Sequence, residues 1–363
     1  MKGIMKCFKQ TVVAIGVLFV TSNALGQANL NVGFNASDIE SELEFNNCVN
    51  VDGVSMSCGT GGSQIGTFTN GIGGADLTID HGIFLTTGSA TEGFTNNSST
   101  RISASTGSGL NGCSDPDLNA LDAAASNLGT YDEAIIEFDF VLPLGADGIT
   151  IPFQFASDEY PEYVCSQFND VFGLFVSGPG ITGTQNIALT NAGNPVAVNY
   201  INGGACGAFA DGATSDLTQT ASFIDNNDGV AGGPIFTEYD GVTMVMNASI
   251  VGLIAGESYH FKMAIGDIGD ASWDSGIWIG AITSIDGGGA EIVCGPDSDG
   301  DGVTDGYEII DGTDPNDNCD YDIASATVAP SGAWEATDCD GDGVTNAQEL
   351  IDGTDTQDGV IIM

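Results

Sequence analysis

The chain contains 363 residues, of which 50 are Asp or Glu and only 5 are Lys or Arg, so its formal net charge is −45 at pH 7. Nucleic-acid binding needs clustered cations, and an anionic membrane surface repels so acidic a chain, so both kinds of partner are excluded. Glycine, at 53 residues, is about twice as frequent as usual. This composition is unlike that of an ordinary cytosolic protein.

The N-terminus has the pattern of an export signal. Three of the five basic residues precede an apolar run at residues 11–20, and Ala24-Leu25-Gly26 follows it. We therefore predict a signal peptide at residues 1–26, cleaved near Gly26, and a mature chain that is secreted or displayed at the cell surface. The mature chain has no further apolar run near the ~18–20 residues that a spanning helix needs, so no transmembrane segment is predicted.

The cysteines indicate disulfides. Cleavage of the signal peptide removes one of the nine cysteines, and the even number that remains favours disulfides over metal-binding thiolates in an exported protein. Cys48 and Cys58 enclose a Gly/Ser-rich loop and are predicted to pair. The pairing of four others stays open at this point: Cys113, Cys165, Cys206 and Cys294.

Alternation of apolar and polar residues dominates the chain up to residue 286. Ile136, Phe138 and Phe140 share one face of the stretch 134–142 while Glu137 and Asp139 share the other, which is typical of a half-buried strand. Further strands are predicted at 149–155, 171–177, 242–250, 259–265 and 276–284, and a helix at 117–128. Turn residues separate these strands, so we predict a mostly β fold in which residues 27–286 form an antiparallel β-sandwich or jelly-roll-like domain.

Two stretches of this predicted domain, near residues 153–178 and 264–275, are rich in acidic and aromatic side chains where a strand gives way to a loop. Loops at strand ends are the usual place for binding groups in a sandwich. One hypothesis is an oxygen-rich calcium site, for which the candidate ligands are Asp158, Glu159, Asn169, Asp170, Asp267 and Asp274. The alternative is that the Asp and Asn residues cap turns and that Tyr160, Tyr163 and Trp273 are ordinary packing residues.

The same two stretches, together with Leu85-Thr86-Thr87-Gly88, resemble the choice-of-anchor L domain over roughly residues 30–285. That resemblance implies an exported bacterial surface domain that is joined to varying C-terminal attachment signals. It implies a location more than a chemistry, because no molecular activity is securely assigned to that family.

No familiar catalytic motif is present. The chain has two histidines and lacks both the H-E-x-x-H and the G-x-S-x-G patterns. We predict that His260 faces solvent from a strand and that His81 lies in a turn. The protein is therefore predicted not to be an enzyme, although Asp158 paired with Asp170 or Asp267 leaves a glycoside-cleaving site open.

The composition changes near Gly295. Before the change, residues 287–295 read as a Gly-rich linker. After it, residues 296–363, which we call the tail, are rich in Asp and Gly and contain neither Lys nor Arg. The tail has hardly any apolar residues to offset the entropy of ordering, so we expect it to be unfolded without cations.

The tail contains two matches to the calcium loop pattern D-x-[DN]-x-[DN]-G-x5-E. Carboxylates at loop positions 1, 3 and 5, a carbonyl at 7, a water-mediated contact at 9 and a bidentate Glu at 12 can surround Ca²⁺, and Gly at position 6 permits the turn. The predicted ligands of the first loop are Asp297, Asp299, Asp301, Val303, Asp305 and Glu308. Those of the second loop are Asp338, Asp340, Asp342, Val344, Asn346 and Glu349. The alternative is a solvated acidic linker that binds no ion.

Both loops then run into Asp-Gly-Thr-Asp, and the whole pattern resembles bacterial thrombospondin type 3 repeats over most of residues 296–358. That resemblance implies calcium-binding spacers on exported proteins, and it implies Asp314 and Asp317 as additional ligands. Cys339 lies at loop position 2, which is not a ligand position, so its side chain is predicted to point away from the ion and to pair with Cys319.

These features predict an exported surface protein for adhesion or display, with calcium in the tail and a glycan or a surface protein as partner of the sandwich. A secreted carbohydrate-active hydrolase with paired carboxylates is the alternative, and a purely architectural role with calcium as sole ligand is a third. The sequence contains no recognisable sorting signal after the second loop. One explanation, which stays an expectation, is that the sequence is a fragment of a longer protein.

Overall fold

The computed structural model describes residues 28–44, 49–58, 64–97, 115–122, 128–143, 145–227, 231–286, 288–289, 296–326 and 328–357. The predicted signal peptide, most of the predicted linker, and Cys48, Cys113 and Cys294 lie outside these residues, so the predictions about them stay predictions. None of the described helices is long and apolar enough to cross a membrane.

The described residues form strands along most of the first 286 positions. They are β1 (Asn29–Asn31), β2 (Asn50–Ser57), β3 (Ile65–Thr69), β4 (Gly82–Thr86), β5 (Thr130–Val141), β6 (Gly148–Ser157), β7 (Val171–Ser177), β8 (Gln185–Asn186), β9 (Val196–Ala197), β10 (Phe223–Asp225), β11 (Gly241–Thr243), β12 (Met246–Val251), β13 (Ser258–Ile268), β14 (Ser275–Ile279) and β15 (Thr283–Ile285).

The helices are short. They are α1 (Ala36–Leu43), α2 (Gly71–Ala75), α3 (Pro116–Asp122), α4 (Asp305–Asp311), α5 (Gly332–Glu335) and α6 (Asn346–Asp352), with single 3₁₀ turns at Glu92–Phe94, Thr220–Ser222 and Ile323–Ser325. The first of these, α1, begins with a capping box in which Asn35 and Asp38 satisfy each other's backbone amides.

The strands form two antiparallel sheets. The first has the order β1-β3-β4-β14-β6-β11-β10, with β12 and β15 also paired to β6, and the second has the order β2-β5-β13-β7-β8, with β9 paired to β7. Their buried faces form one large apolar cluster to which both sheets contribute. The predicted fold class, a mostly β antiparallel sandwich followed by a loop-rich segment, is confirmed.

The centre of the core follows the alternation seen in the sequence. Phe138 on β5 stacks on Phe261 of β13 with ring centroids 5.6 Å apart, and Phe140 stacks on Tyr259 at 5.5 Å. Each buried aromatic side chain contributes roughly 1.5–3 kcal/mol relative to exposure. On the opposite face, the His260 imidazole contacts the exposed Asp139 carboxylate at 2.8 Å, as expected for a histidine that faces solvent.

Two of the predicted strands are each interrupted and form two shorter strands, all of which pair with β6. The stretch 242–250 becomes β11 and β12, and in the break between them the Met244 amide donates to the Ser222 carbonyl next to β10. The stretch 276–284 becomes β14 and β15 on the other edge of β6. Pro152 of β6 lacks an N–H to donate, and its carbonyl accepts a hydrogen bond from Gly280 in the break between these two strands.

A disulfide fixes the long loop after β6. Cys165 and Cys206, whose pairing the sequence left open, are bonded to each other. The Cys165 carbonyl also accepts hydrogen bonds from the amides of Asp211, Gly212 and Ala213. Cys58 is disulfide-bonded as well, but its predicted partner Cys48 lies outside the described residues.

The tail has a small core of its own, which corrects the expectation that it has hardly any apolar surface to bury. Val303, Tyr321 and Trp334 are buried together, and Tyr307 and Ala326 pack against them. The Trp334 ring meets the Tyr321 ring edge-on at 5.7 Å. A single tryptophan buries about 150–250 Å², so one residue between the two loops supplies a core that composition alone does not reveal.

Candidate metal centres

The first tail loop is folded around its position-1 carboxylate. Asp297 accepts hydrogen bonds from the amides of Gly300 at 2.7 Å and Gly302 at 3.0 Å, one on each oxygen. Gly302 occupies loop position 6 with a φ of +97°, a conformation that L side chains rarely adopt. The sharp turn at this position therefore depends on glycine.

The next two aspartates of the loop each use one oxygen inside the turn. Asp299 Oδ1 accepts from the Asp301 amide at 3.3 Å, and Asp301 Oδ1 accepts from the Val303 amide at 2.8 Å. Their other oxygens are buried and meet no hydrogen-bond donor among the residues that the structure describes. The same holds for both carboxylate oxygens of Glu308, which α4 brings back over the loop.

The second loop repeats this arrangement. Asp338 accepts from Gly341 at 2.8 Å and from Gly343 at 3.0 Å, and Asp340 Oδ2 is again buried without a donor in the described chain. Glu349, on α6, likewise has a buried Oε2 without a donor there. The position-3 aspartate and the position-12 glutamate thus leave a buried oxygen without a donor from the described residues in both loops.

The ligand atoms of positions 1, 3 and 5 converge in both loops. In each loop the three aspartates place one carboxylate oxygen apiece within 4.8 Å of the others. The first set is Asp297, Asp299 and Asp301, and the second set is Asp338, Asp340 and Asp342. Such an acidic, all-oxygen set fits a hard divalent cation such as Ca²⁺.

The convergence is electrostatically unfavourable for bare carboxylates. Burial, together with the charges of neighbouring carboxylates, raises the pKa of Asp301 to about 6 and the pKa of Glu308 to about 7. The pKa values of Asp299 and Glu349 are also raised, first by burial. A bound cation would remove this penalty, because it compensates the charges that burial and crowding oppose.

The position-9 side chains make direct hydrogen bonds around the loop. Asp305 accepts from the amide and the hydroxyl of Ser298, both at 2.8 Å. The equivalent Asn346 is fully buried, accepts from the Cys339 amide at 3.2 Å and donates to the Trp334 carbonyl at 3.0 Å. Both residues therefore tie position 2 of the loop to the helix that follows it.

The remaining predicted tail residues lie around this frame. Val303, at position 7, is buried in the small core, whereas Val344 is partly exposed. Asp314 and Asp317 are exposed, and each accepts a backbone amide within its own turn. A disulfide joins Cys319 and Cys339, the pair named from the sequence, with Cα atoms 5.3 Å apart.

The sandwich brings together the acidic residues of the two stretches singled out in the sequence. Asp158 and Glu159 follow β6, Asp170 precedes β7, Asp267 lies near the end of β13, and Asp274 precedes β14. All five are at most 3% exposed. Because β6 and β14 belong to the first sheet and β7 and β13 to the second, these carboxylates lie where the ends of the two sheets meet.

Hydrogen bonds fix this junction. Asp170 accepts from the Ile268 amide at 3.0 Å and from the Ser275 hydroxyl at 2.7 Å, so one carboxylate touches the neighbours of both Asp267 and Asp274. The Asp158 amide donates to the Asp274 carbonyl at 3.0 Å. Asp170 therefore links the two sheets through its side chain.

Other candidates in this region have structural contacts. The Asn169 side-chain oxygen accepts from the Asn199 amide at 2.8 Å, which fits the turn-capping alternative rather than a ligand role. Tyr160 packs against Phe223 at 4.8 Å, and Tyr163 meets Trp273 edge-on at 4.1 Å, as expected of packing residues.

Two acidic residues of the junction were not identified from the sequence. Asp132 lies on β5 with a φ of +43°, where the pairing of β5 with β13 changes register and one extra residue bulges out of β5. Glu92 approaches Asp274 over Gly88, where a Cβ atom would come within 2.6 Å of carboxylate oxygens of both residues. The acidic pair Asp132-Glu133 directly before the apolar run Ala134-Ile135-Ile136 is the signal that could have identified Asp132.

The carboxylates of the junction resist ionisation. Burial raises the pKa of Asp170 to about 7 and that of Glu92 to about 7. The pKa of Asp267 is raised well above its usual value, first by burial and then by the charges of Asp170, Asp274 and Asp132. Burial likewise raises the pKa of Glu159 strongly.

The solved structures that the chain matches are only distantly similar. Two of them, both mutants of ENZbleach xylanase, are 11% identical to it with TM-scores of 0.26 and 0.24. The first match covers 75% of this chain and 92% of that chain, and the second 73% and 89%. Likeness this weak supports no argument about fold or activity. The search of curated proteins finds no match.

Family profiles give a clear result. The profile described as "Choice-of-anchor L domain" matches residues 33–284, which contain the acidic junction and both sheets except β1 and the last residue of β15. The profile described as "Bacterial TSP3 repeat" matches residues 297–318 and 338–356, which contain the two tail loops. The chain belongs to the choice-of-anchor L family and has two bacterial TSP3 repeats after that domain.

Proposed function

We propose that this chain is an exported bacterial cell-surface protein whose tail binds calcium and whose sandwich is displayed for adhesion. The proposed parts are a signal peptide at residues 1–26, the sandwich domain at 27–286, a linker at 287–295 and the calcium-binding repeats at 296–363. Both matched families are typical of surface proteins, which supports the proposed location.

The observation that carries the calcium proposal is the set of buried loop oxygens without donors in the described chain. In the first loop they are Asp299 Oδ2, Asp301 Oδ2 and both oxygens of Glu308. A buried polar atom without a partner costs about 1–3 kcal/mol, and more when it is charged. Calcium, which takes roughly six to eight oxygen ligands, satisfies all of them at once.

Calcium would then set how well the tail is ordered. Extracellular sites typically have dissociation constants of ~10⁻⁴ to 10⁻³ M, so millimolar calcium stabilises each loop by about 0.4–1.4 kcal/mol. The small core around Trp334 and the disulfide between Cys319 and Cys339 add to this. The tail would act as a spacer that stiffens where calcium is abundant.

A display role is favoured over hydrolysis for the sandwich. Asp158 and Glu159 lie in a turn beyond the end of β6, and together with Asp170 and Asp267 they are at most 3% exposed. Carboxylates that cleave a glycosidic bond must flank a substrate sugar, which buried side chains do not do. A glycan array run beside a reducing-sugar release assay separates the two functions, since binding without sugar release is expected for display.

The calcium proposal is tested by isothermal titration of the full chain. Glu308→Gln and Glu349→Gln keep the side-chain shape but remove one charge and the bidentate ligand. Each variant is therefore expected to lower the calcium affinity of its own loop by at least tenfold. Glu335→Gln makes the same chemical change at an exposed tail position, and its titration should match that of the unmodified chain. Unchanged binding in both loop variants would contradict the proposal.

A further inference from the structure

We propose that the sandwich holds a buried calcium ion of its own, bound by the carboxylates of Asp132, Asp170, Asp267 and Asp274. This site is independent of the two tail loops and does not require that they bind calcium. It lies at the junction of the two sheets, where all four side chains are at least nine-tenths buried.

The backbone brings these four residues to one place from different strands. Asp267 pairs with Tyr131, so the β5 bulge that follows places Asp132 next to it. Asp170 contacts the neighbours of Asp267 and Asp274 through the Ile268 amide and the Ser275 hydroxyl. The Gln64 side chain donates both to the Asp132 carbonyl at 2.7 Å and to the Thr87 carbonyl at 3.0 Å, which closes the junction on the β4 side.

Unused oxygens at this junction point to a ligand. Asp267 is fully buried, and the Thr87 side chain interacts with it, but neither of its carboxylate oxygens has a hydrogen-bond donor in bonding geometry among the described residues. Asp132 is 5% exposed, and its Oδ2 atom likewise has no hydrogen-bond donor among the described residues. A buried charge is normally paired or bound to a metal, because the cost of removing it from water is otherwise too high.

Basic side chains do not compensate these charges in the described part of the sandwich. Lys262 donates instead to Asp115 and Asp117, at 2.6 Å each. His260 and His81 contact Asp139 and Glu42. Two arrangements remain for the junction: several carboxyls are protonated and share hydrogen bonds, or a cation neutralises them.

Calcium fits the donor set better than other common ions. Carboxylates with a nearby serine hydroxyl are hard oxygen donors, and Ca²⁺ accepts six to eight such donors in flexible geometry, whereas Mg²⁺ needs a near-octahedral shell with several waters. These four carboxylates do not converge as tightly as the tail aspartates, whose ligand atoms lie within 4.8 Å of one another. Closing around the ion therefore requires inward rotation of side chains, and the unbonded oxygens of Asp267 and Asp132 permit it.

The test separates a bound ion from shared protons. It uses the full chain carrying Glu308→Gln and Glu349→Gln, so that the tail contributes little, and it follows thermal unfolding in millimolar calcium chloride and in EGTA. Calcium is expected to raise the Tm of the sandwich by ~5 °C or more, because it binds the folded state alone.

Asp267→Asn on that background decides between the two arrangements. With a bound ion, the variant loses most of the calcium-induced rise and, in EGTA, unfolds at or above the Tm of its parent because one buried charge is gone. Asp132→Asn should behave in the same way and serves if Asp267→Asn does not fold. Asp139→Asn makes the same change at an exposed position of β5 and should keep the full rise.

A count of ions gives a second measurement. Native mass spectrometry of the otherwise unmodified chain should find one calcium ion fewer in Asp267→Asn than in Asp139→Asn. No calcium-induced rise in the parent, or an equal rise and an equal ion count in Asp267→Asn and Asp139→Asn, would overturn the proposal.

Discussion

The sandwich and the tail both bury acidic side chains, but they rest on different kinds of core. The sandwich has a large apolar cluster formed by two sheets, into which its carboxylates intrude at one end. In the described tail three apolar residues are buried, and so are the carboxylates of Asp301, Glu308 and Glu349. The difference teaches that apolar burial dominates the stability of the sandwich, whereas the tail, with its small core, depends more on its disulfide and on compensation of charge.

The largest expected effect removes apolar surface from the sandwich. Phe138→Ala deletes a fully buried ring that stacks on Phe261, so unfolding should become easier by about 3–5 kcal/mol. Chemical denaturation in calcium and in EGTA measures the loss, which should be the same in both. Val141→Ala, at an exposed position of the same strand, should change stability by no more than about 0.5 kcal/mol.

The next effect concerns the covalent link in the tail. Replacing both cysteines, Cys319→Ser with Cys339→Ser, removes a bridge between residues 20 apart in sequence and should destabilise the tail by about 3 kcal/mol. Limited proteolysis in EGTA should then cut the tail much faster than in the unmodified chain. Equal cleavage rates would mean that the small core around Trp334 suffices without the bridge.

A smaller effect is expected at Lys262, whose ammonium group pairs with the buried Asp115 carboxylate in the described sandwich. Lys262→Met leaves Asp115 without its cation and should cost roughly 2 kcal/mol, less than for a fully buried pair because the Asp117 side chain is 39% exposed. Thermal unfolding gives the value. If Asp115→Asn is added to the same chain, part of the loss should return, since the uncompensated charge is gone.

The smallest effect is calcium removal from the tail loops. Chelation should cost each loop about 0.4–1.4 kcal/mol. Hydrogen exchange of amides in α4 and α6, compared before and after EGTA, measures it locally. Exchange that is equally slow in both conditions would mean that the tail is held by its disulfide and core alone.

The convergence of the tail aspartates was predictable from the sequence because these residues are neighbours along the chain. The spacing of Asp297, Asp299 and Asp301 alone determines which side chains converge. The buried faces of β5 and β13 were predictable for the same reason, because alternation is also a pattern of neighbouring residues. The role of Asn346 was missed, because its partner Trp334 belongs to a different segment.

The sandwich junction was predictable only in part, because tertiary packing determines its distances. Asp170 and Asp267 were identified from two acidic stretches, but Asp132 reaches them through a bulge in β5 that alternation does not indicate. The pairing of Cys165 with Cys206 likewise follows from a loop whose path the sequence leaves open. Pro152 was visible in the sequence, yet its effect on strands β14 and β15 depends on which strand it faces.

The bridge between Cys319 and Cys339 has a consequence for proteolysis of the tail. A single cut anywhere between residues 320 and 338 leaves the two repeats covalently attached to each other. Whatever follows the second repeat would thus remain tethered to the domain that precedes the first. Separating the two parts of the chain after such a cut would require a second cut outside this segment, or a reductant.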